Sequence, residues 1–184
     1  MSRVPLVPDE SADDVTAPVF DRFRAEGREP IALYRALANA PLLLRSYSVL
    51  AQSLRHDTAT DRHLRELVIL RTAQLTASEY EWSHHVPMAT AAGAPAEQIS
   101  ELASWEESNA FDERERAALR CADEVHALSV TEATFRELER ALGTKGALET
   151  VVTASFYQAV ARMLQALDVE VEPAYRQTSE EGER

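Results

Sequence analysis

Ionisable and aromatic side chains are concentrated in the segment SEYEWSHH, residues 78–85, of a chain with only five histidines and 7% aromatic residues. On a helix, Ser78, Glu81 and His85 lie three and four positions apart and share one stripe, so the carboxylate of Glu81 can reach the imidazole of His85. A neighbouring carboxylate fixes the tautomer of an imidazole and raises its basicity, and burial tunes both groups. The spacing therefore predicts a site that moves protons near neutral pH.

Other candidate residues flank this stripe. Tyr80 and His84 form a second pair four positions apart, and Trp82 lies beside both stripes. Glu66, in the preceding apolar run RELVIL, lies at the edge of an apolar helix face, where its carboxylate can point into a crevice between two helices. Tyr157, near the C-terminal end, is a further candidate for lining the same cavity.

The elements that must position these residues are predicted to be helices throughout. Five glycines among many Ala, Leu, Glu and Arg residues favour helix, and no stretch alternates with period two for long. The fold class expected is an all-α bundle of roughly eight or nine helices. The predicted helices cover residues 13–27, 30–39, 40–56, 58–77, 78–93, 95–105, 112–129, 131–143 and 144–167.

Polar residues at the starts of these helices predict their N-caps. Thr58 or Thr60 is expected to cap the fourth helix, and Asp112 the seventh. Ser78 is expected to cap the fifth, with Glu81 three residues later completing a capping box. This is a second interpretation of Glu81, and it competes with the catalytic one.

The length of the chain limits its domain organisation, and its net charge limits its binding partners. The 184 residues fit a single domain over 12–172, with a flexible N-terminus at 1–11 and a disordered tail at 173–184. A formal net charge of −12 and the lack of a basic run argue against binding nucleic acid or anionic membranes. No apolar run reaches the roughly 18 residues needed to cross a bilayer, and no secretory signal is evident, so a soluble cytoplasmic protein is expected.

The chain contains a single cysteine, Cys121. It can form no internal disulfide, and no Cys-x-x-Cys pair is present for redox or zinc chemistry. Its position on the apolar stripe of ERAALRCADEVHAL predicts a small buried hydrophobic residue.

The segment RELVILRTAQLTASEYEWSHHVPMATAAGAPAEQI resembles the carboxymuconolactone decarboxylase and AhpD-like alkylhydroperoxidase superfamily, and ERAALRCADEV and ASFYQAVARMLQAL extend the resemblance over about residues 30–170. The resemblance implies an all-helical fold that self-associates as trimers or hexamers. The redox branch uses a Glu, a Cys-x-x-Cys pair and a His, which fall here on Glu66, Ser78, Glu81 and His85. The Glu and the His match, but both thiols that a peroxidase requires are absent.

The decarboxylase branch needs no thiol, and the resemblance to it implies cofactor-free acid/base chemistry on a small carboxylated or lactone-type metabolite. His85 is then the expected general acid/base, with Glu66 and Glu81 orienting it. The substrate-binding residues expected around them are Ser78, Tyr80, Trp82, His84 and Tyr157. The same groups serve decarboxylation, isomerisation, hydration or lactone hydrolysis equally well, so the reaction stays open.

Several alternatives remain open at the level of sequence. Glu66 can be a surface residue paired with Arg62 or Arg65, and Trp82 can belong to the core or to a subunit contact. A metal site at Glu81, His84 and His85, with Glu66 as a further ligand, is disfavoured, since adjacent histidines point about 100° apart on a helix; no metal and no cofactor are expected. The competing hypothesis from another functional class is that the protein is a non-catalytic oligomeric scaffold.

Overall fold

A computed structural model describes residues 2–176, which form an all-helical fold without strands, as the sequence predicts. Within that range no helix combines the length and the apolar character that crossing a membrane requires. Two short 3-10 turns, Asp9–Ser11 and Leu102–Ser104, accompany the α-helices. The eight helices are α1 (Ala17–Ala25), α2 (Ala32–Leu37), α3 (Pro41–His56), α4 (Arg62–Leu75), α5 (Glu79–Ala91), α6 (Ala96–Glu101), α7 (Glu113–His126) and α8 (Glu132–Leu167).

The start of α4 differs from the sequence prediction. Asp61, rather than Thr58 or Thr60, is the N-cap, and its carboxylate accepts a hydrogen bond from the backbone N–H of Leu64 at 2.9 Å. Thr60 is engaged elsewhere, because its hydroxyl donates to the carboxylate of Glu149 at 2.6 Å. The helix therefore begins later than predicted, because Thr60, in the polar segment that precedes it, is bound to Glu149 of α8.

Two other predicted helix boundaries are confirmed. Asp112 caps α7 and forms a complete capping box with Glu115. The boundary predicted between residues 131–143 and 144–167 falls inside α8 at Gly143, whose backbone leaves the helical region at φ 71° and ψ 167°. A positive φ favours glycine, and here it lets two helical segments follow each other with a change of direction.

Helix α4 is the centre of the bundle, packed against α5, α7 and α8. Its residues Leu67, Val68, Ile69 and Leu70 are all fully buried, so this helix is covered on every side. Each such side chain contributes about 1.5–3 kcal/mol by leaving water. Because the packing encloses the middle of α4, the polar side chains of Arg65, Glu66 and Thr72 are buried as well.

Both ends of the described chain contact the bundle. Within the N-terminal segment 1–11, the backbone N–H of Arg3 donates to the carbonyl of Leu167 at 2.8 Å. The predicted tail 173–184 begins with a turn at 173–176 that packs on α5, and its remainder, 177–184, lies outside the described residues. The ordered contacts of residues 2–11 and 173–176 were not predicted from the sequence.

Candidate active site

A tight turn between α4 and α5 brings Glu66 and His85 to within about one helical turn of the same level. Ala77 adopts a left-handed conformation with φ 51°, and the N–H of Ser78 donates to the carbonyl of Ala73 at 2.9 Å, which reverses the chain. At about 1.5 Å per residue, Glu66 lies roughly 13 Å before the end of α4 and His85 roughly 9 Å after the start of α5. Two antiparallel helices joined in this way can place the two side chains opposite each other.

Glu66 and His85 form a buried hydrogen bond in the crevice between these helices. Glu66 Oε2 lies 2.7 Å from Nδ1 of His85, and the two residues are only 2% and 6% exposed. The guanidinium of Arg62 approaches the other carboxylate oxygen no closer than 3.9 Å. The surface position that the alternative gave to Glu66 is therefore wrong, because the packing around α4 buries this residue. Its ion pair with Arg62 is present but long, and His85 is its main partner.

Glu81 approaches the other nitrogen of the same imidazole. Its Oε2 lies 3.5 Å from Nε2 of His85, one helical turn along α5, as the i, i+4 spacing predicts. Burial raises the pKa of Glu81, and the attraction of His85 and His84 opposes that rise. The imidazole of His85 is thus placed between two buried carboxyl groups that contact its two nitrogens.

The capping role predicted for Glu81 is only half present. Ser78 is the N-cap of α5 as predicted, and its hydroxyl accepts from the backbone N–H of Glu81 at 3.4 Å. The carboxylate of Glu81, however, faces His85 inside the protein and not the start of the helix. Burial of the first turn of α5 against the bundle turns this side chain inward.

His85 and Glu81 form part of the wall of a cavity of about 260 Å³. Aromatic side chains from α1, α2, α3 and α8 form much of the opposite wall: Phe23, Tyr34, Tyr47, Phe156 and Tyr157. A cavity of this size suits a small organic molecule, and the aromatic wall shields the acid/base groups from bulk water.

Tyr157 lies edge-on to the imidazole, with the ring centroids of Tyr157 and His85 5.1 Å apart. Burial is the main cause that raises the pKa of Tyr157 well above its usual value. Its hydroxyl therefore stays protonated at neutral pH and is available as a hydrogen-bond donor to a carbonyl oxygen in the cavity.

Arg55 is a lining residue that the sequence reasoning missed. Its Nη2 donates to the hydroxyl of Tyr34 at 3.0 Å, and its Nε donates to the carbonyl of Ala51 at 3.1 Å. A signal was present, because Arg55 continues the stripe of Ser48 and Ala51, which are buried on α3 at helical spacing. An arginine on the apolar stripe of a helix points into the protein, and here it brings a positive charge to the cavity.

A second polar cluster holds Tyr80 and His84. The hydroxyl of Tyr80 donates to Oε1 of Glu172 at 2.9 Å, and Nε2 of His84 lies 2.8 Å from Oε2 of the same carboxylate. The ring of Tyr175 stacks on His84 with centroids 3.7 Å apart. Both predicted substrate-binding residues line the cavity, but their polar atoms are engaged by the segment that follows α8.

Hydrogen bonds lower the pKa of Glu172 by more than burial raises it. Burial alone would raise the pKa of this carboxyl, but His84 and the backbone N–H of Ala32 donate to it, and the net effect is a lowered pKa. The carboxylate is therefore ionised at neutral pH and fastens the C-terminal segment across α5 and α2. Sequence reasoning missed Glu172 because it lies in the segment after the last helix, 88 residues from His84.

Ser78 and Trp82, predicted to bind substrate, are not among the residues that line the cavity. Ser78 lies at the end of α5 and serves as its cap. Trp82 packs instead on the apolar cluster around Leu67 and Trp105. The reason is geometric: Trp82 lies on the side of α5 that packs on this cluster, whereas His85 contacts Glu66 of α4 and Tyr157 of α8.

Cys121 lies apart from this site. It is fully buried in a cluster between α4, α7 and α8, as the sequence predicts. Burial raises the pKa of its thiol to about 11, which leaves almost no thiolate at neutral pH.

The arrangement of the histidines also bears on metal binding. His84 turns towards Glu172, whereas His85 turns towards Glu66, so the two imidazoles diverge as adjacent helical residues do. Among residues 2–176, no group of three or more His, Cys, Asp or Glu side chains is placed to hold a metal ion.

Comparisons with known proteins agree with this fold. The model of the "Carboxymuconolactone decarboxylase family" matches residues 41–124, which include Glu66, Glu81 and His85. No curated protein matches the chain significantly. The family match, with the structural likenesses below, supports a relationship of the chain to the carboxymuconolactone decarboxylase/AhpD-like superfamily.

Solved structures of similar fold share little sequence with it. The debrominase Bmp8 in complex with 2,3,4-tribromopyrrole is 21% identical, with a TM-score of 0.82 over 99% of this chain and 100% of that one. An uncharacterized peroxidase-related protein with an AhpD core from Ralstonia eutropha JMP134 is 19% identical, with a TM-score of 0.82 over 95% and 94%. Another from Silicibacter sp. TM1040 is 15% identical, with a TM-score of 0.81 over 95% and 93%. At these identities the likeness concerns the fold.

Proposed function

We propose that the protein is a cofactor-free acid/base enzyme that acts on a small carboxylated or lactone-type metabolite, by decarboxylation or a related proton-transfer step. The observation that carries the proposal is the imidazole of His85, held at the cavity wall with Glu66 at 2.7 Å from Nδ1 and Glu81 at 3.5 Å from Nε2. The cytoplasmic location predicted from the sequence belongs to the same proposal.

Each carboxyl group has a distinct part in this arrangement. When Nδ1–H donates to the Glu66 carboxylate, Nε2 is the nitrogen left to take up or release a proton. The negative charge of Glu66 stabilises the imidazolium that forms when Nε2 is protonated. Glu81, with its raised pKa, is suited to exchange a proton with Nε2, so the pair can hold the proton that the reaction consumes.

In a decarboxylation, the bond between the carboxylate carbon and the adjacent carbon breaks, and CO₂ leaves. The electron pair of that bond moves into the neighbouring carbonyl, giving an enolate. The Tyr157 hydroxyl and the Arg55 guanidinium can stabilise the enolate oxygen. His85 then donates its proton to the carbon, and the imidazole regains a proton from water. Isomerisation or hydration would use the same transfer without the loss of CO₂.

A thiol-dependent redox function is not favoured by the residues present. Such chemistry needs an attacking thiolate and a resolving thiol. The aligned positions hold Ser78 and Glu81, and Cys121 is buried elsewhere with a raised pKa. The bound tribromopyrrole of the debrominase shows that a related fold accommodates a small ring, which fits the lactone-type ligand proposed here.

Self-association, as trimer or hexamer, is part of the proposal as well. The outer face of α3 exposes four large apolar side chains, at 44–63% of their surface: Leu42, Leu43, Val49 and Leu50. A contiguous apolar face of this kind is typical of a surface that another protein covers. Sedimentation equilibrium of the wild type and of Leu42→Glu tests it, because an added charge on that face should dissociate the oligomer.

The test of the catalytic proposal is a ligand screen followed by a proton-transfer assay. Lactones and β-keto acids are screened by thermal shift, and the hits are assayed for CO₂ release and for deuterium incorporation from D₂O. His85→Ala should abolish turnover, whereas His63→Ala, on α4 and bonded to Gln98 away from the cavity, should retain it. Equal turnover by the two variants would show that His85 is not the proton-transfer group, and a protein without any turnover would be the non-catalytic scaffold.

A further inference from the structure

A second cavity, of about 400 Å³, adjoins the candidate active site and carries an excess of positive charge. Five arginines line it against two glutamates, in a protein whose formal net charge is −12. The arginines come from the N-terminal half of the chain: Arg22, Arg28, Arg55, Arg62 and Arg65. The overall composition of an acidic protein does not predict a basic pocket. The clustered arginines concentrate positive electrostatic potential in this cavity.

Three of these arginines form no close ion pair with a carboxylate among residues 2–176, although nearby glutamates attract Arg55 and Arg65 at longer range. Arg22 donates to the hydroxyl of Ser48 at 3.1 Å, and Arg55 to neutral oxygens only. Arg65 is only 6% exposed; its Nη1 contacts Thr58, and its Nε is buried without any hydrogen-bond partner. A buried guanidinium with an unsatisfied donor is costly, and a bound anion would remove that cost.

The two glutamates leave most of this charge unbalanced. Glu26 pairs with Arg28 at the outer rim of the cavity. Glu66 gives its short hydrogen bond to His85, and its contact with Arg62 is long, at 3.9 Å. The remaining arginines are therefore available to an external negative charge.

The position of this cavity relates it to the reaction site. Arg55 and Arg62 line both cavities, so a molecule bound to them can extend to either side. Glu66 lines the basic cavity and also orients His85. A ligand held among the arginines therefore lies next to the acid/base group.

We propose that the basic cavity binds a dianionic oxyanion group of the substrate, either a phosphate ester or a pair of carboxylates, at the end that does not react. More donors converge than a single carboxylate can satisfy, which favours an acceptor with two negative charges and at least three oxygens. The assignment of this group to the substrate rests on the proposed function; the anion site itself does not.

The experiment is isothermal titration calorimetry with inorganic phosphate, malonate and acetate at constant ionic strength. Phosphate or malonate should bind at least about tenfold more tightly than acetate, and the affinity should fall as salt is added. A preference for phosphate over malonate would identify a phosphate ester, and the reverse a dicarboxylate. Binding of acetate as tight as that of both dianions would overturn the proposal.

Variants locate the site. Arg65→Gln should weaken dianion binding by about tenfold, as the loss of one charge-assisted hydrogen bond does. Because Arg65 is buried, the exposed Arg22→Gln provides a second variant that leaves the core intact. Arg136→Gln is the matched control, since Arg136 is paired with Glu132 and Glu139 on the surface of α8. If Arg22→Gln and a folded Arg65→Gln bind like Arg136→Gln, the anion site is not here.

The variant His85→Asn separates this inference from the catalytic proposal. It should lose proton transfer but bind phosphate with unchanged affinity. Dianion binding that depends on the arginines would support the anion site even if no substrate were turned over. Conversely, turnover that depends on His85 without any dianion binding would leave the catalytic proposal standing and refute the anion site.

Discussion

Replacing Glu66 by glutamine is the most direct test of the buried Glu66–His85 pair. The substitution keeps the size and shape of the side chain and removes only the negative charge. Glu66 is 2% exposed, and its carboxylate lies 2.7 Å from Nδ1 of His85. The amide oxygen of glutamine can still accept the Nδ1–H, so the geometry of the imidazole should persist while its charged form loses its counter-charge.

The magnitude follows from the type of bond that is lost. A hydrogen bond to a charged group contributes about 1.5–3 kcal/mol and a neutral one about 0.5–1.5 kcal/mol, so the substitution should cost about 1–2 kcal/mol of stabilisation of the imidazolium. Since about 1.4 kcal/mol corresponds to a factor of ten in rate, turnover should fall about 5- to 30-fold. Volume is conserved, so no cavity forms and the fold should remain intact.

The assay is CO₂ release or deuterium incorporation with a ligand found by the screen. Nuclear magnetic resonance of the imidazole nitrogens provides a readout without substrate: the Nδ1 proton should resonate far downfield in the wild type and move upfield in Glu66→Gln. The control is Glu79→Gln, the same change at an exposed position of α5. An unchanged Nδ1 signal and unchanged turnover in Glu66→Gln would refute the role of the buried pair.

Three further predictions concern other ionisable groups. Because burial raises the pKa of Glu81, the native state binds its proton more tightly than the unfolded state, and stability is lost as the pH rises above 4.5. The amount by which the Tm of Glu81→Gln exceeds that of the wild type should therefore grow with pH. For Glu172 the sign is opposite, because hydrogen bonds from His84 and Ala32 outweigh the effect of burial and lower its pKa. The stability that this carboxylate contributes is present above pH 4.5 and is lost as the pH falls. Glu172→Gln should therefore lower Tm at pH 7 and make Tm less dependent on pH in the acidic range. The Cys121 thiol, with its pKa of about 11, should react with a disulfide reagent at pH 7.5 only after unfolding, and Cys121→Ala should retain turnover; rapid native labelling would contradict the burial.

Local patterns were sufficient where the cause is local. The caps at Ser78 and Asp112 and the break at Gly143 follow from hydrogen bonds and dihedral angles within a few residues. The contact between Glu81 and His85 follows from one turn of a single helix. The cap of α4 was assigned wrongly because the choice between neighbouring polar residues depended on Glu149, from a distant helix.

The orientation of α5 could not be read from spacing alone. Helical periodicity places Trp82 and His85 on different faces, but it does not say which face meets the cavity. Packing of Trp82 against the cluster around Trp105 decides that question and turns His85 towards Glu66, Tyr157 and the cavity. Glu172 joined the site through a contact across 88 residues, which no local pattern encodes. The stripe of α3 points Arg55 inward, but only the packing brings it to Tyr34, 21 residues away in sequence.

The sequence by itself determined the all-helical class, the acid/base residue types and the absence of a thiol pair, because these depend on residue identity and on the repeat of one helix. Tertiary structure decided that Glu66 is buried against His85, that Glu172 fastens Tyr80 and His84, and that the arginines converge on one cavity. The physical reason is that burial and charge proximity are properties of the packed bundle: they arise only when α4 is enclosed on all sides and helices remote in sequence lie a few ångströms apart.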